Sequence, residues 1–140
     1  MMTLKVKLDE GAIMPTKAHD TDAGFDLYSR DTIYISPNWN FSFDTGVHIL
    51  IPKGYVGFLK SKSGLNVLHC IQSDGVIDAG YTGSITVKLY NHGDATYRVQ
   101  KGDKISQIVI LPLPEVELEQ VDEFLEITER GDDGFGSSGR

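Results

Sequence analysis

The stretch IQSDGVIDAGYTGSITVKLYN, residues 71–91, decides the fold class. Its second half alternates. Ile85, Val87 and Leu89 fall on one face, and Thr86, Lys88 and Tyr90 on the other. Period two of this kind marks a strand with one face in a core. Ahead of it, Asp74-Gly75 sits between two β-type runs and reads as a tight hairpin turn. Gly80 and Gly83 then flank Tyr81, and Asp78 follows the apolar pair Val76-Ile77.

The same pattern extends in both directions. TLKVKL (3–8) puts Leu4, Val6 and Leu8 on one face. DTIYI (31–35), VHILI (47–51), YVGFLK (55–60), TYRV (96–99) and KISQIVIL (104–111) are further β-rich runs. Turn signals punctuate them at SPN (36–38), IPKG (51–54), SDG (73–75), NHGD (91–94) and QKGD (100–103). Short strands at this spacing predict an all-β sandwich, jelly roll or barrel. SGLNVLH (63–69) is the one short helix the sequence suggests. The acidic stretch EVELEQVDEFLEI reads equally as an amphipathic helix or an extended arm. The last residues, from about Glu129, are rich in Gly and Ser and predict a mobile tail. The expected organisation is one β domain over 1–128 and a flexible lid over 129–140.

Composition narrows the function. The 140 residues suit one domain with its own core. A net charge of −7 argues against binding along a nucleic-acid backbone. It leaves room for a small phosphate ligand held by local cations, backbone N–H groups and Mg²⁺. No apolar run is long enough to span a bilayer, and the start shows no secretory signal pattern. The single cysteine, Cys70, fits a reducing compartment, so a cytoplasmic location is expected.

Several residues could carry chemistry. Asp78 beside apolar neighbours is a candidate general base, since water can be held against such a carboxylate. Its plain alternative is a turn residue, with Tyr81 packed in the core. LKSKSGLNV (59–67) offers hydroxyls, lysines and a glycine ahead of a helical turn, which suits an anion or a solvated edge. GFGSSG in the tail resembles a phosphate cradle in composition, but no GK[ST] follows it. His19, His48, His69 and His92 show no zinc-type spacing, and no GxSxG is present.

Taken in order, five segments are specific: AGFDLYS (23–29), LKSKSGLN (59–66), GVIDAGYTG (75–83), GDKISQ (102–107) and RGDDGFGSSG (130–139). Together they resemble the five ordered motifs of the trimeric dUTP diphosphatases, the dUTPases, over nearly the whole chain. The resemblance implies a jelly-roll-like fold and a homotrimer whose sites are shared between subunits. It implies Mg²⁺-assisted hydrolysis of dUTP to dUMP and pyrophosphate. By the same resemblance, Asp78 deprotonates the attacking water. Tyr81 lies under the deoxyribose, and Gly75, Val76 and Ile77 form a hairpin that reads uracil. Lys62, Ser63, Gly64 and Gln107 contact phosphates, and Asp26 touches the metal through water. Arg130 clamps the γ-phosphate, Phe135 covers the uracil ring, and Gly136, Ser137 and Ser138 donate to phosphates.

Two departures qualify it. The second motif usually reads Pro-Arg-Ser, but here it is Ser61-Lys62-Ser63, and lysine lacks the planar fork of arginine. SITVKLYN also resembles the related dCTP deaminases, whose strand carries a water-activating glutamate where this chain has Lys88. A lysine does not replace a carboxylate in that role, so deamination stands as the alternative. Another is regulation, since some phage-encoded members bind repressor proteins.

Overall fold

The computed structural model describes residues 1–139. Ten strands and one helix run in the order β1 (Lys5–Leu8), β2 (Phe25–Tyr28), β3 (Ile33–Ile35), β4 (Asn40–Asp44), β5 (Val47–Leu50), β6 (Tyr55–Lys60), α1 (Ser63–His69), β7 (Ile71–Ile77), β8 (Thr86–Asn91), β9 (Tyr97–Val99) and β10 (Lys104–Pro112). All pairs are antiparallel. A six-stranded sheet has the order β2-β10-β6-β7-β8-β4, and β1-β5 and β3-β9 form two-stranded ribbons.

The alternation of β8 holds: Ile85, Val87 and Leu89 are buried. They pack in one core with Leu27, Phe43, Leu59, Ile71 and Ile108. In β1 the alternation is weaker, and Leu8 is exposed. In β10 it breaks. The register against β2 shifts between Lys104 and Ser106, a bulge that lets Ile105, Ser106 and Ile108 all turn inward. The buried Ser106 hydroxyl donates to the Lys60 carbonyl at 2.9 Å and lies 2.8 Å from the Ser73 hydroxyl. Burying these groups is tolerable because each is partnered.

The Asp74-Gly75 hairpin expectation is corrected. Both residues lie inside β7, with Gly75 opposite Leu59 and Asp74 opposite Lys60. A Cβ on Gly75 would sit 3.1 Å from Leu59 Cδ1, so the glycine serves close strand approach rather than a turn. The helix forms where expected. Lys62 is its N-cap without a side-chain cap bond, and Cys70 ends it in a left-handed conformation. The acidic stretch 115–127 forms no helix: it is irregular and exposed, as is the tail to Gly139. Among the described residues no helix is long and apolar enough to cross a membrane.

Candidate active site

Two clusters flank the β6–β7 pair. The first gathers around Asp26 on β2. Its carboxylate is buried, with Lys62 Nζ 2.5 Å from Oδ1 and Lys104 Nζ 3.1 Å from Oδ2. Burial opposes its ionisation. The hydrogen bonds from Lys62 and then Lys104 outweigh that penalty and hold its pKa below the ordinary aspartate value. Lys62 thus pairs with Asp26 through a single ammonium, where an arginine would offer a fork. Gln107, opposite both Asp26 and Lys60, donates its Nε2 to the Ser61 carbonyl at 3.0 Å. Ser63 and Gly64 open α1 beside them, both exposed. A shallow hollow lined by Lys60, Ser61, Ser63, Asn66, Ser73 and Asp74 adjoins this cluster.

The expected metal contact of Asp26 meets a different arrangement. Both carboxylate oxygens are engaged by ammonium groups, and among the described residues no three His, Cys, Asp or Glu side chains gather as a metal set. Two cations beside one carboxylate repel a third. This disfavours direct coordination by Asp26 and leaves the contact through water that the resemblance implies. Asp26 instead anchors two lysines. Substituting D26N is expected to destabilise the chain by about 2 kcal/mol, because charge-assisted hydrogen bonds become neutral ones. Urea unfolding at neutral pH measures this. Since the Asp26 pKa is lowered on folding, its contribution is present above the unfolded carboxylate range. It is lost as pH falls through the folded value, so the two proteins converge in acid.

The second cluster lies at the other end of the β6–β7 pair, where Gly57 faces Ile77, and β7 is three strands from β2 in the sheet. Here β7 passes from one partner to another. Ile71–Ser73 pair with β8, whereas Asp74–Ile77 pair only with β6. Among the described residues, the β8-side backbone edge of Gly75, Val76 and Ile77 is therefore without a strand partner. Such an edge offers N–H and C=O groups to a ligand, as a strand offers them to a neighbour. Val76 is exposed and Ile77 half-buried.

Asp78 follows at the end of this edge, in a tight turn where the Tyr81 N–H donates to the Asp78 carbonyl at 3.3 Å. Gly80 supplies the positive φ of 82°. Asp78 is exposed, without an apolar enclosure inside one chain. Tyr81 is no core residue: it is 46% exposed, and its hydroxyl donates to the Ser84 carbonyl at 2.9 Å. Gly83 lies against the Tyr81 ring, where any Cβ would collide with it. The far end of the turn is fixed by Ser84, whose hydroxyl donates to Asp44 and accepts from the Gly46 N–H at 3.0 Å. The Ser84 hydroxyl, then the Gly46 N–H, hold the Asp44 carboxyl below its ordinary pKa.

The tail joins neither cluster. Phe135 is fully exposed. Arg130 folds back on its own segment, donating to the carbonyls of Asp133 at 2.9 Å and Gly134 at 3.2 Å. Gly136, Ser137 and Ser138 are exposed as well. Lys88 points its ammonium over the Tyr90 ring, 5.2 Å from the centroid. Lys104 and Ser84 were missed by sequence reasoning, and Gly83 was noted only as a neighbour of Tyr81. Lys104 was signalled only by its place in GDKISQ.

A family model described as dUTPase matches residues 10–139. The chain belongs to the dUTPase family. A curated relative, the deoxyuridine 5'-triphosphate nucleotidohydrolase of Clostridium tetani, is 42% identical over 99% of this chain and 97% of its own. Among solved dUTPases, that of Staphylococcus bacteriophage 80alpha with dUPNHPP superposes with a TM-score of 0.94 at 36% identity, covering 100% of both chains. A point mutant of the dUTPase from phage phi11 of S. aureus superposes at 0.83 with 35% identity, covering 89% of this chain and 100% of that one. That protein coordinates a structural Mg(II) ion. Strand spacing left sandwich, jelly roll and barrel open, and the jelly-roll fold that the family resemblance implies is the one these dUTPase neighbours share with the chain.

Proposed function

We propose that this chain hydrolyses dUTP to dUMP and pyrophosphate, keeping uracil out of DNA and supplying dUMP for dTMP synthesis. The observation that carries the reading is the Asp78–Tyr81 turn at the end of an unpartnered β7 edge, in a chain of the dUTPase family. In this reading the β7 edge pairs with uracil. Cytosine presents a donor where uracil has an acceptor, and an unpaired buried polar group penalises it. Tyr81 packs under the deoxyribose and leaves no space for a 2′-OH.

Asp78 takes one proton from water. The hydroxide oxygen bonds to the α-phosphorus, the bond from that phosphorus to the α–β bridging oxygen breaks, and pyrophosphate leaves. Lys62, Ser63, Gly64 and Gln107 bind the triphosphate. Asp26 acts behind them by holding Lys62 and Lys104 in place. Mg²⁺ is the divalent cation we assign to the reaction. It would shield phosphate charge when bound, with Asp26 in reach of it through water.

The separation of the two clusters within one chain, on β2 and at the end of β7, supports a homotrimer in which Asp78 of one subunit faces the lysine cluster of another. The arm over 113–128 can reach roughly 50 Å when extended, enough to carry the tail to a neighbour's site. There Arg130 would meet the γ-phosphate, Phe135 the uracil ring, and Gly136, Ser137 and Ser138 the phosphates. The lone Cys70 and the net charge of −7 suit a cytoplasmic enzyme without nucleic-acid or membrane partners.

Incubating the protein with dUTP, dCTP and UTP in the presence of Mg²⁺ tests this. Pyrophosphate from dUTP alone supports the proposal, and ammonia from dCTP overturns it in favour of deamination. The phage 80alpha relative is described as controlling transfer of virulence genes. A repressor partner for this chain is the weaker reading, because only residues 92–96 separate β8 from β9 and no dedicated arm is inserted there.

A further inference from the structure

His48 ties the Tyr81 turn to the sheet. It lies on β5 opposite Lys7, on the face away from the buried Val47 and Ile49. Its Nδ1 is 2.7 Å from the Thr82 carbonyl, and its Nε2 is 3.0 Å from Asp9 Oδ1. Both partners are acceptors only. A neutral imidazole carries one N–H and satisfies one of them, leaving a lone pair against an oxygen at the other. Only the imidazolium donates to both. Thr82 directly follows Tyr81, so the bond fixes the turn on the side opposite the Ser84 anchor. Asp9 is itself fixed by its N–H to the Gly46 carbonyl at 2.8 Å.

We propose that charged His48 is a positioning residue for Tyr81, locking the turn through Thr82 in the orientation that rejects a ribose. This rests on the reading of Tyr81 given above. No motif of the sequence contains His48. The charged groups around it are few. Asp9, after β1, faces Nε2 directly. Asp44 on β4 also favours the cation, although Arg30 neutralises it at 3.2 Å. Lys7 on β1 opposes the cation, and Lys5 lines the same hollow. The balance raises the His48 pKa: the Thr82 carbonyl contributes most, Asp9 next, and desolvation works against them. A raised value means the double contact is complete below the ordinary histidine range. It is lost as pH climbs through the folded value.

The test is the ratio of kcat/KM for dUTP over UTP, followed from about pH 6 to about pH 9, across the range where a perturbed histidine titrates. For the unmodified enzyme the ratio is expected to fall by about tenfold at alkaline pH, the scale of a modest misplacement in a site. The midpoint should match the His48 titration seen by NMR. H48A should show the low ratio at every pH. D9N should show the high ratio throughout, because its amide can donate to a neutral ring whose Nδ1–H still serves Thr82. A D9N ratio that falls with pH as the unmodified one does, or an H48A ratio equal to the unmodified one, overturns the proposal. Y81A separates the two levels. If Y81A keeps full discrimination, the Tyr81 reading itself fails and His48 falls with it. If Y81A loses discrimination while H48A keeps it, only the His48 proposal fails. Should H48A not fold, the D9N profile and the NMR midpoint decide alone.

Discussion

Replacing Asp78 with asparagine is expected to lower kcat for dUTP by roughly 10²–10⁴-fold, the usual worth of a positioned general base. Binding should change little. Asparagine keeps the shape of the side chain and an acceptor oxygen, but it cannot take the proton from water. Asp78 is exposed, and its carboxylate makes no hydrogen bond within the described chain, so the substitution breaks no internal contact. Stability should therefore be nearly unchanged. Single-turnover kinetics with equilibrium binding of a non-hydrolysable dUTP analogue separate the two quantities. Loss of turnover with retained affinity is the expected result. Retained turnover would move the base elsewhere, and Asp74 and Asp44 are the neighbouring carboxylates to try next. Each of these is already paired, Asp74 with Lys60 at 3.4 Å and Asp44 with Arg30 at 3.2 Å.

Truncation after Glu129 is the second large effect. It removes Arg130, Phe135 and the serine donors together, and it should reduce kcat/KM by roughly 10²-fold or more, since closure supplies both contacts and the exclusion of water. F135A alone should cost less, about tenfold, the value of one base–aromatic stack at the low end of the roughly 1–3 kcal/mol range. Neither change should touch folding. From Leu113 to Gly139 every residue is exposed, and the core is built wholly from residues before Leu111. Thermal unfolding and sedimentation of the truncated protein check this. A shifted melting temperature would make the tail structural rather than a lid.

How far the sequence carried this picture differs by element. The core strand β8 was plain in SITVKLYN because one face is buried and the other is wet. The helix at Ser63–His69 was plain as well. The misreading of Asp74-Gly75 has a local cause. The residues that suit a turn here suit a strand interior, because Leu59 approaches too closely for a side chain on Gly75 and Asp74 pairs with Lys60 across the strands. Asp78, Tyr81, Lys62 and Gln107 were reached through ordered motifs rather than through periodicity. Lys104 stands inside GDKISQ but was given no role there, and His48 lies outside every motif. Each works through a partner far away in sequence, Lys104 on Asp26 and His48 on Asp9 and Thr82, and single-strand patterns carry no trace of such pairings. The arm was legible only as composition, and the tail as composition and as the fifth motif. Within the described chain no surface covers them.

The central claim is that a water activated by Asp78 attacks the α-phosphorus of dUTP. Turnover of dUTP in ¹⁸O-labelled water, with both products analysed by mass spectrometry, tests it most directly. The account predicts one solvent oxygen in dUMP and none in pyrophosphate. Label in pyrophosphate with unlabelled dUMP would place the attack on the β-phosphorus and contradict it.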